Sequence, residues 1–485
     1  MTNESNPGSA EEDHQRNTGI SDQIEDQVGH KKRVTKGALL SIFLVVFIDL
    51  LGFGIVLPLL PIYGKAFAGD YSEASRYLLL GLLMASFSAM QFFFAPIWGR
   101  LSDRVGRRPI LLIGLAGSTL SYTLFGVAAV YQSLWALFLT RIGAGIAGAT
   151  ISTAQAYIAD VTDESKRTKG MALIGAAFAL GFTLGPAIGG VSLLFASGEE
   201  GSLAYSPYPG FLAGFFSGMA LLFAYFKLPE SWKPSESDLS KRPTRKQRVA
   251  AWHLVQKVAV VGILFGTIFI SVFSFANFES TLSLEIEYLV QEDVETEGQD
   301  ESKSAHWLAQ SVKRWGFSQE QSRLLVIMAV FSYLGFILTL AQGFLVRRLS
   351  VRFSEKVLLV GGCLGTALGF GLLALLVGET SSNLVFGVER VLLFLLAIPI
   401  VVVSFAFVGP PAQSLLSKKS PQNLRGAVLG IGQSFSSLAR IFGPVCGVSL
   451  MGLGAAYPYW VASGLLLVCM AVLLTWSQKL TSSES

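Results

Sequence analysis

Long apolar stretches limit the folds open to this chain more than any other feature of its sequence. Twelve of them, each about 20 residues or longer, alternate with polar turns. A helix of about 20 residues crosses the roughly 30 Å hydrocarbon core of a bilayer and satisfies its own backbone hydrogen bonds there. We therefore predict twelve membrane-spanning helices, numbered as spans 1 to 12, at 38–62, 77–98, 109–131, 134–157, 168–195, 209–228, 257–278, 323–346, 356–378, 391–415, 423–451 and 455–476.

The composition agrees with a membrane protein and offers little for metal or nucleotide chemistry. Of the 485 residues, 52% are apolar and only 14% are charged, whereas about a quarter of the residues of a soluble domain are charged. The cysteines lie in apolar stretches, and the histidines lie outside them without the spacing of metal ligands. A phosphate-binding loop of the form G-x-x-x-x-G-K-[ST] is absent. We expect no metal, no cofactor and no enzyme activity, and a proton gradient rather than ATP as the energy source.

The basic residues indicate how the spans are oriented. Lys and Arg concentrate in every second turn, at 99–108, 166–169, 227–257, 347–356 and 418–425. The turns after spans 3, 5 and 11 contain neither residue. Because short loops rich in Lys and Arg stay in the cytoplasm, we predict that both termini and all the basic turns are cytoplasmic.

The spans fall into two halves of six that resemble each other. The segments "KRTKGMALIGAAFALGFTLGPAIGG" (166–190) and "LRGAVLGIGQSFSSLARIFGPVCG" (424–447) align with a shift of 258 residues, which pairs Gly185 with Gly443. Parallel repeats of six spans are typical of one transporter architecture. The predicted units are a polar cytoplasmic tail 1–37, a six-helix bundle 38–228, a basic cytoplasmic linker 229–256, a second six-helix bundle 257–476 and a cytoplasmic tail 477–485.

Two longer motifs identify a family. "GRLSDRVGRRP" (99–109) matches the turn motif of the major facilitator superfamily, G-x-L-x-D-x-x-G-R-[KR]-x. "GFTLGPAIGG" (181–190) matches the antiporter motif of that superfamily, G-x-x-x-G-P-x-x-G-G. The resemblance implies an all-α membrane protein with the major facilitator fold, in which twelve helices form two pseudo-symmetric halves.

Four shorter segments narrow the resemblance to drug exporters. "FIDLLGFGIVLPLLPIY" (47–63) and "FLTRIGAGIAGA" (138–149) resemble the motifs of spans 1 and 4 in such exporters. "YIADVTDESKRTKG" (157–170) and "LPES" (228–231) are similar to the tetracycline resistance proteins among the twelve-span drug:proton antiporters. The resemblance implies export of a small organic compound in exchange for protons.

The turn motif contains the candidate gate residues, which are Gly99, Asp103, Arg104, Gly106, Arg107 and Arg108. In the family fold the counterpart of Asp103 faces the start of span 11, here 421–425. The interaction of a carboxylate with a helix N-terminus is favourable by about 0.3–1 kcal/mol. An interaction of this size can bias an equilibrium between two states without preventing either, as a latch requires. The two glycines would let backbones approach closely. The alternative is that the stretch only anchors the cytoplasmic side through its arginines.

The antiporter motif supplies Gly181, Gly185, Pro186, Gly189 and Gly190. Glycines four residues apart lie on one helix face and allow another span to pack against the backbone. Proline removes a hydrogen bond and bends the helix. The motif therefore predicts a tight seal beside span 5, with ordinary packing and kinking as the alternative.

Charged residues inside spans are costly and are candidates for function. Asp49 in span 1 and Arg141 in span 4 are expected at similar depths, roughly 16 and 11 Å from opposite faces. They are the predicted proton-coupling pair, joined directly or through water, and the alternative is a static ion pair. Gln91, Gln433 and Arg440 are possible cavity residues, although each glutamine could instead bond a neighbouring backbone group.

An acidic insertion separates spans 7 and 8. The segment 279–322 contains ten acidic residues and is predicted to be external. We expect a solvated insertion, with cation attraction or partner binding as alternatives.

The predicted function is secondary active transport by alternating access. The partners are a small organic, drug-like substrate (tetracycline-like compounds included), protons and the lipid bilayer, without nucleic acid. The protein is expected to be a monomer in the cell membrane. The rivals are a proton-coupled uptake symporter on the same fold and a transporter-like receptor or scaffold.

Overall fold

The protein is an all-helical bundle. The computed structural model describes residues 36–162, 164–194, 206–231, 259–295, 319–377, 384–385, 388–420 and 425–481. Twelve helices among these residues are long and apolar enough to cross a membrane, so the prediction of twelve spans in an all-α fold is confirmed. The predicted tails and linker lie largely outside the described residues.

The first six spans are unequal in length and some are broken. Ser72 and Ser133 cap the starts of spans 2 and 4 with their side chains. Pro58 and Pro61 lie at the points where span 1 changes helix type, because neither donates a backbone hydrogen bond. The helices are Lys36–Val56, Leu57–Leu59 (3-10) and Leu60–Phe67 in span 1, Glu73–Val105 in span 2, Arg107–Val130 in span 3, Leu134–Gly148 and Ile151–Val161 in span 4, Glu164–Leu193 in span 5, and Tyr208–Lys227 in span 6.

The second six spans follow the same plan. Span 10 breaks just before Pro410 and Pro411, which are tolerated only in the first turn of the following helix. The helices are Ala259–Glu295 in span 7, Gln319–Leu340, Ala341–Val346 (π) and Arg347–Leu349 in span 8, Glu355–Val377 in span 9, Arg390–Ala406 and Gly409–Lys419 in span 10, Arg425–Met451 in span 11, and Tyr457–Thr481 in span 12. A two-residue antiparallel pairing joins Leu384–Val385 to Val388–Glu389 before span 10.

Two predicted boundaries differ most from the structure. Span 2 continues as a helix through Val105, so the predicted turn at 99–108 shrinks to a break at Gly106. Span 7 continues to Glu295 rather than ending at 278. The predicted insertion therefore begins inside a helix, and its acidic residues Glu285 and Glu287 are buried in the protein. Residues 296–318 of the insertion lie outside the described residues.

The two halves pack in the same way. Span 1 lies along span 5 and span 7 along span 11, while spans 3 and 6 pair on one flank and spans 9 and 12 on the other. A Cβ at Gly185 would lie 2.7 Å from the Cα of Gly54, and one at Gly443 would lie 2.8 Å from the Cβ of Ala276. The equivalent glycines of spans 5 and 11 thus make equivalent close contacts, which supports the predicted pseudo-symmetry.

Among the described residues, the close contacts of spans 2, 5, 8 and 11 between the halves lie toward one end of the bundle. We call the end where span 1 begins the proximal end and the opposite end the distal end. Toward the distal end, a Cβ at Gly81 would lie 2.8 Å from Val445, and one at Gly335 would lie 2.5 Å from the carbonyl oxygen of Phe182. Toward the proximal end, a Cβ at Gly175 or Gly343 would meet nothing within 4 Å. In the part of the chain that the structure describes, the halves are therefore in close contact distally and apart proximally.

Candidate functional site

A cavity of about 440 Å³ lies between the halves, on the proximal side of their contact. Its charged lining residues among the described residues are Asp49 and Arg141 from the first half and Glu279 and Arg440 from the second. Phenylalanines from both halves form much of the remaining wall, including Phe53, Phe87, Phe178, Phe182, Phe275 and Phe405. An apolar cavity with a few polar groups is the common form of a small-molecule site.

Asp49 lies on span 1 and is held from within its own half. The hydroxyl of Ser217 on span 6 donates to its Oδ1 at 3.5 Å, and Ser118 on span 3 is also a hydrogen-bond partner. The carboxyl is half-buried and borders the cavity. Asp49 can therefore be reached from the cavity while two serines orient it.

Arg141 lies on span 4 and is only 2% exposed. Its guanidinium carbon lies 4.6 Å from the ring centroid of Phe87 and 5.6 Å from that of Phe53. The face of an aromatic ring attracts a cation at such distances. Its Nε and Nη1 have no hydrogen-bond partner among the described residues. Buried donors of this kind normally have a partner, so Arg141 is suited to an acceptor that enters the cavity.

Asp49 and Arg141 do not form the direct ion pair that the sequence left open. The carboxyl is bonded to serines, and the guanidinium is stacked on aromatic rings. Within the described part of the chain, no salt bridge joins the two side chains. The structure therefore gives no support to a static pair that fixes packing.

Glu279 and Arg440 form the charged part of the cavity wall in the second half. Span 7 carries Glu279 and span 11 carries Arg440, and the two charges lie close enough to interact electrostatically. The sequence predicts Glu279 just after the end of span 7, whose predicted limit is 278. The longer helix instead puts this carboxyl deep in the cavity.

The two predicted glutamines differ in position. Gln91 lines the cavity, and its Nε2 also donates to the carbonyl oxygen of Gly148 at 3.2 Å. It is therefore both a cavity residue and a partner of a neighbouring backbone group. Gln433 is exposed and does not belong to the described lining of this cavity. Gln342 and Gln413, which the sequence did not single out, do line it.

The turn motif forms a compact ionic cluster at the proximal end. Arg107 is the centre of it, because its Nη1 lies 2.5 Å from Asp103 Oδ1 and its Nε lies 3.1 Å from Asp160 Oδ2. Nη1 also donates to Ser102 Oγ at 2.7 Å. Arg104 is exposed, at the last turn of span 2. The cluster ties spans 2, 3 and 4 together within the first half.

Glu230, from the segment "LPES", occupies the N-terminus of span 3. Its Oε1 accepts from the backbone N–H of Arg107 at 2.9 Å, and its Oε2 accepts from that of Arg108 at 3.1 Å. Gly106 has φ +106°, and a Cβ there would lie 2.6 Å from Glu230 Oε2, so glycine is needed for both reasons. Gly99 shows no such crowding, since its nearest contact would be Ser152 Oγ at 4.0 Å. The predicted partner of Asp103 at 421–425 lies largely outside the described residues.

The antiporter motif faces span 1 and span 8. A Cβ at Gly181 would lie 3.0 Å from Leu50, and one at Gly189 would lie 3.1 Å from Met328 and 3.3 Å from the carbonyl oxygen of Ile55. Gly190 also faces Met328, at 3.3 Å. Pro186 lies inside the continuous helix of span 5. Gly181 thus packs against span 1 of its own half, whereas Gly189 and Gly190 lie where the halves meet distally, which is where a seal would be needed.

A second ionic cluster joins the halves at the distal end. Lys65 Nζ of span 1 lies 3.2 Å from Glu287 Oε2 of span 7, and Arg323 Nη1 of span 8 lies 3.9 Å from Glu287 Oε1. Glu287 is 7% exposed, so it is more strongly coupled to its partners than a surface carboxylate would be. One signal for this cluster is visible in the sequence, a run of carboxylates directly after an apolar stretch, but such a run predicts a loop rather than a buried ion pair.

Comparisons with known proteins agree with this architecture. The model of the Major Facilitator Superfamily matches residues 42–444. The chain is 30% identical over 451 residues to the class C tetracycline resistance protein of Escherichia coli, covering 92% of this chain and 98% of that protein. It is 30% identical over 481 residues to major facilitator superfamily domain-containing protein 10 of Bos taurus, covering 90% and 92%.

Solved structures of transporters have the same fold. The human organic anion transporter MFSD10 (TETRAN) matches with a TM-score of 0.55 and 25% identity, over 90% of this chain and 99% of that one. A D-xylose–proton symporter matches with a TM-score of 0.65 and 19% identity, over 90% and 97%. The chain is accordingly a multi-pass membrane protein and a carrier of small molecules rather than an enzyme, and it belongs to the Major Facilitator Superfamily.

Proposed function

We propose that this protein exports a small amphipathic organic compound in exchange for protons, as a monomer in the cell membrane. The observation that carries the proposal is the cavity between the halves, which contains ionisable groups and which the described residues close at the distal end. Alternating access needs a central site of this kind and two halves that can rock about it. The names of the tetracycline resistance relatives favour drug export, with tetracycline-like compounds as the first candidates.

We place the proximal end in the cytoplasm. The basic residues at 99–108, 347–356 and 418–420 all lie at that end of the bundle, and loops of this composition stay cytoplasmic. The conformation described here is then open to the cytoplasm and sealed toward the outside. In this state the cavity would accept substrate from the cytoplasm.

Asp49 is the carboxylate to which we assign proton coupling. A lone carboxylate at the centre of a span costs about 2.5–3.5 kcal/mol on insertion scales, so it needs compensation in each state. Protonation compensates in one state, and the hydroxyls of Ser217 and Ser118 compensate in the other. Arg141 supplies a nearby cation from the same cavity wall.

The decisive measurement is substrate uptake into inverted membrane vesicles with an imposed pH gradient. Asp49→Asn keeps the shape and polarity of the side chain but cannot exchange a proton. We expect the variant to insert normally and to lose substrate accumulation, while downhill equilibration persists. Asp70→Asn, at an exposed distal position, is the matched control and should accumulate substrate like the parent.

Three results would change the proposal. Full accumulation by Asp49→Asn would move the coupling role to Glu279, the other carboxylate that borders the cavity, and Glu279→Gln should then abolish accumulation. Accumulation driven only by a gradient of the opposite direction would favour the proton-coupled uptake symporter. Failure to move any compound in a growth-inhibition panel and in vesicles would favour a receptor or scaffold.

Asp103 is proposed to act in the gate through Arg107 at the proximal end. Asp103→Asn removes the charge that pairs with Arg107 at 2.5 Å, whereas the arginines that set the topology remain. We expect reduced transport with normal membrane insertion. Cysteines introduced near residue 420 should become more reactive from the cytoplasm, and unchanged reactivity together with unchanged transport would leave only the anchoring role.

A further inference from the structure

The four charged side chains that border the cavity between the halves are not balanced in the same way. Glu279 and Arg440 interact electrostatically with each other in the second half. In the first half, Asp49 accepts a hydrogen bond from Ser217, and Arg141 lies over aromatic rings. None of the salt bridges of the described residues includes either of these two. One negative and one positive group of the same wall are therefore available to a bound compound.

Asp49 and Arg141 lie beside a shared aromatic surface in this wall. Phe53 follows Asp49 by four residues on the same face of span 1, about 6 Å further along the helix. The guanidinium carbon of Arg141 lies 5.6 Å from the ring centroid of Phe53. Tyr122 of span 3 also borders the cavity and interacts electrostatically with both charged groups. A compound that reaches both charges would thus lie along the ring of Phe53.

Exchange against protons sets a condition on the charge of the substrate. Substrate and proton must exclude each other, because a ligand that binds both forms of a carrier equally well couples nothing. A cationic group that pairs with the ionised carboxylate of Asp49 meets this condition, since protonation removes its partner. A purely anionic compound does not meet it, because a negative charge near Asp49 favours the protonated carboxyl.

A purely cationic compound would leave Arg141 without an acceptor. Its Nε and Nη1 have no hydrogen-bond partner among the described residues, and the side chain borders the cavity while it is only 2% exposed. Buried donors of this kind normally have a partner, and a charge-assisted bond to an acidic oxygen is among the strongest that a guanidinium forms. The first half therefore suits an anionic group beside a cationic one.

We propose that the transported compounds are amphoteric and aromatic, with a protonated amine that pairs with Asp49 and an acidic oxygen group that pairs with Arg141. A planar ring system between the two charges would pack against Phe53, in the offset or edge-to-face arrangement that aromatic pairs prefer. The cavity volume of about 440 Å³ is in the range that holds drug-sized molecules. This inference rests on the proposed function, because it assumes exchange of the compound against protons.

Isothermal titration calorimetry of the full-length protein in detergent tests the charge requirement. The probe is ciprofloxacin, which carries a carboxylate and a protonated amine on a planar ring system. Its methyl ester lacks the acid and its N-acetyl derivative lacks the amine, whereas the rings are unchanged. The parent protein should bind ciprofloxacin about tenfold more tightly than either derivative, because each derivative lacks one partner of a charge pair. Tetracycline and its analogue without the dimethylamino group repeat the test of the amine on a second ring system.

Two variants assign each charge of the compound to its residue. Arg141→Gln should bind ciprofloxacin and its methyl ester equally and keep the preference for the amine. Asp49→Asn should bind ciprofloxacin and its N-acetyl derivative equally and keep the preference for the acid. Asp70→Asn, at an exposed distal position, is the control and should keep both preferences.

These binding measurements need no gradient, so they are independent of the vesicle assay. Equal binding of ciprofloxacin and both derivatives by the parent protein, or loss of the same preference in both variants, would overturn the substrate class. The absence of binding of both ciprofloxacin and tetracycline would also overturn it. Proton-driven accumulation of compounds that carry neither charge would reject the substrate class and leave the proposed function intact. Selective binding without accumulation would reject proton exchange and support the assignment of the two charges.

Discussion

The role of Arg141 in the cavity depends on the planar shape of its guanidinium as much as on its charge. Its central carbon lies over the rings of Phe87 and Phe53, and its Nε and Nη1 have no hydrogen-bond partner among the described residues. Lysine keeps the charge but has no planar group to stack between the rings. Arg141→Lys should therefore lower the transport rate about tenfold, the equivalent of ~1.4 kcal/mol of cation–π and hydrogen-bonding energy.

Arg76→Lys is the control variant for Arg141→Lys. Arg76 bonds the carbonyl oxygens of Ala68 and Gly69 in the distal turn, away from the cavity, and its variant should transport like the parent. Vesicle flux for each variant is divided by the amount of folded protein. Parental flux in Arg141→Lys would mean that charge alone is required at this position.

Glu230 should stabilise the fold through the N-terminus of span 3. Its carboxylate accepts from the backbone N–H groups of Arg107 and Arg108, which a helix leaves without partners in its first turn. Glu230→Ala should lower the free energy of unfolding by about 0.3–1 kcal/mol, the range for an exposed charge at this position. Thermal unfolding in detergent measures the loss, and an unchanged midpoint would contradict the capping role.

Single residues show what sequence can and cannot predict about the site. The positions of Asp49 and Arg141 inside spans followed from the rarity of charges in apolar stretches. Their partners could not be predicted in this way, because Ser217 and Phe87 belong to spans 6 and 2. The hydropathy of a sequence does not indicate which spans are neighbours. Glu230 was visible only as part of "LPES", and its capping role required the fold.

At the scale of elements, the packing of span 5 against span 1 leaves no room for a side chain. A Cβ at Gly185 would lie 2.7 Å from the Cα of Gly54, which is backbone and cannot rotate away. Gly185→Ala should therefore separate the helices and reduce the yield of folded protein. Gly175→Ala, ten residues earlier on the same helix, meets nothing within 4 Å and should fold normally.

Size-exclusion chromatography in detergent distinguishes the two variants of span 5. The parent and Gly175→Ala should elute as one symmetric peak, whereas Gly185→Ala should aggregate or express poorly. Normal elution of Gly185→Ala would show that spans 1 and 5 can move apart without loss of the fold.

The number of spans was predictable and their ends were not. Twelve apolar stretches form twelve helices, because a backbone in lipid must satisfy its own hydrogen bonds and a helix does so within one segment. Spans 2 and 7 run past their predicted ends because the charges there have partners within the protein. Asp103 pairs with Arg107, and Glu287 pairs with Lys65, which is more than 200 residues away. A count of apolar residues treats such charges as solvated and ends the helix too early.

For the whole molecule, the distal ion pair between Lys65 and Glu287 should favour the conformation described here. Among the salt bridges of the described residues, this one joins the two halves. It must therefore break when the distal end opens. Lys65→Gln should shift the population toward the distally open state. A membrane-impermeant maleimide added from the distal side should then label a cysteine placed at Gln91 faster than in the parent background, and slower labelling would contradict the gate.

The final prediction concerns the closing of the proximal end. Gly335, Thr339 and Gly343 lie on one face of span 8, and the first two already contact span 5, where the hydroxyls of Thr183 and Thr339 are 3.2 Å apart. If the halves rock about this contact, Gly343 must approach span 5 near Gly175 when the proximal end closes. A leucine at 343 has room in the open state and would block that approach.

Gly343→Leu should therefore fold, bind substrate from the proximal side and fail to transport it. Gly464→Leu is the matched control, since a Cβ there also meets nothing within 4 Å but span 12 lies on the flank of the bundle. In a background without Cys363, Cys446 and Cys469, a cysteine placed at Gln413 in the cavity reports proximal access. Labelling from the proximal side should proceed at its maximal rate in Gly343→Leu, whatever the pH gradient, because the cavity cannot close. Transport at the parental rate would show that spans 5 and 8 do not meet at this level, and the pivot would then have to lie elsewhere than the contact between Thr183 and Thr339.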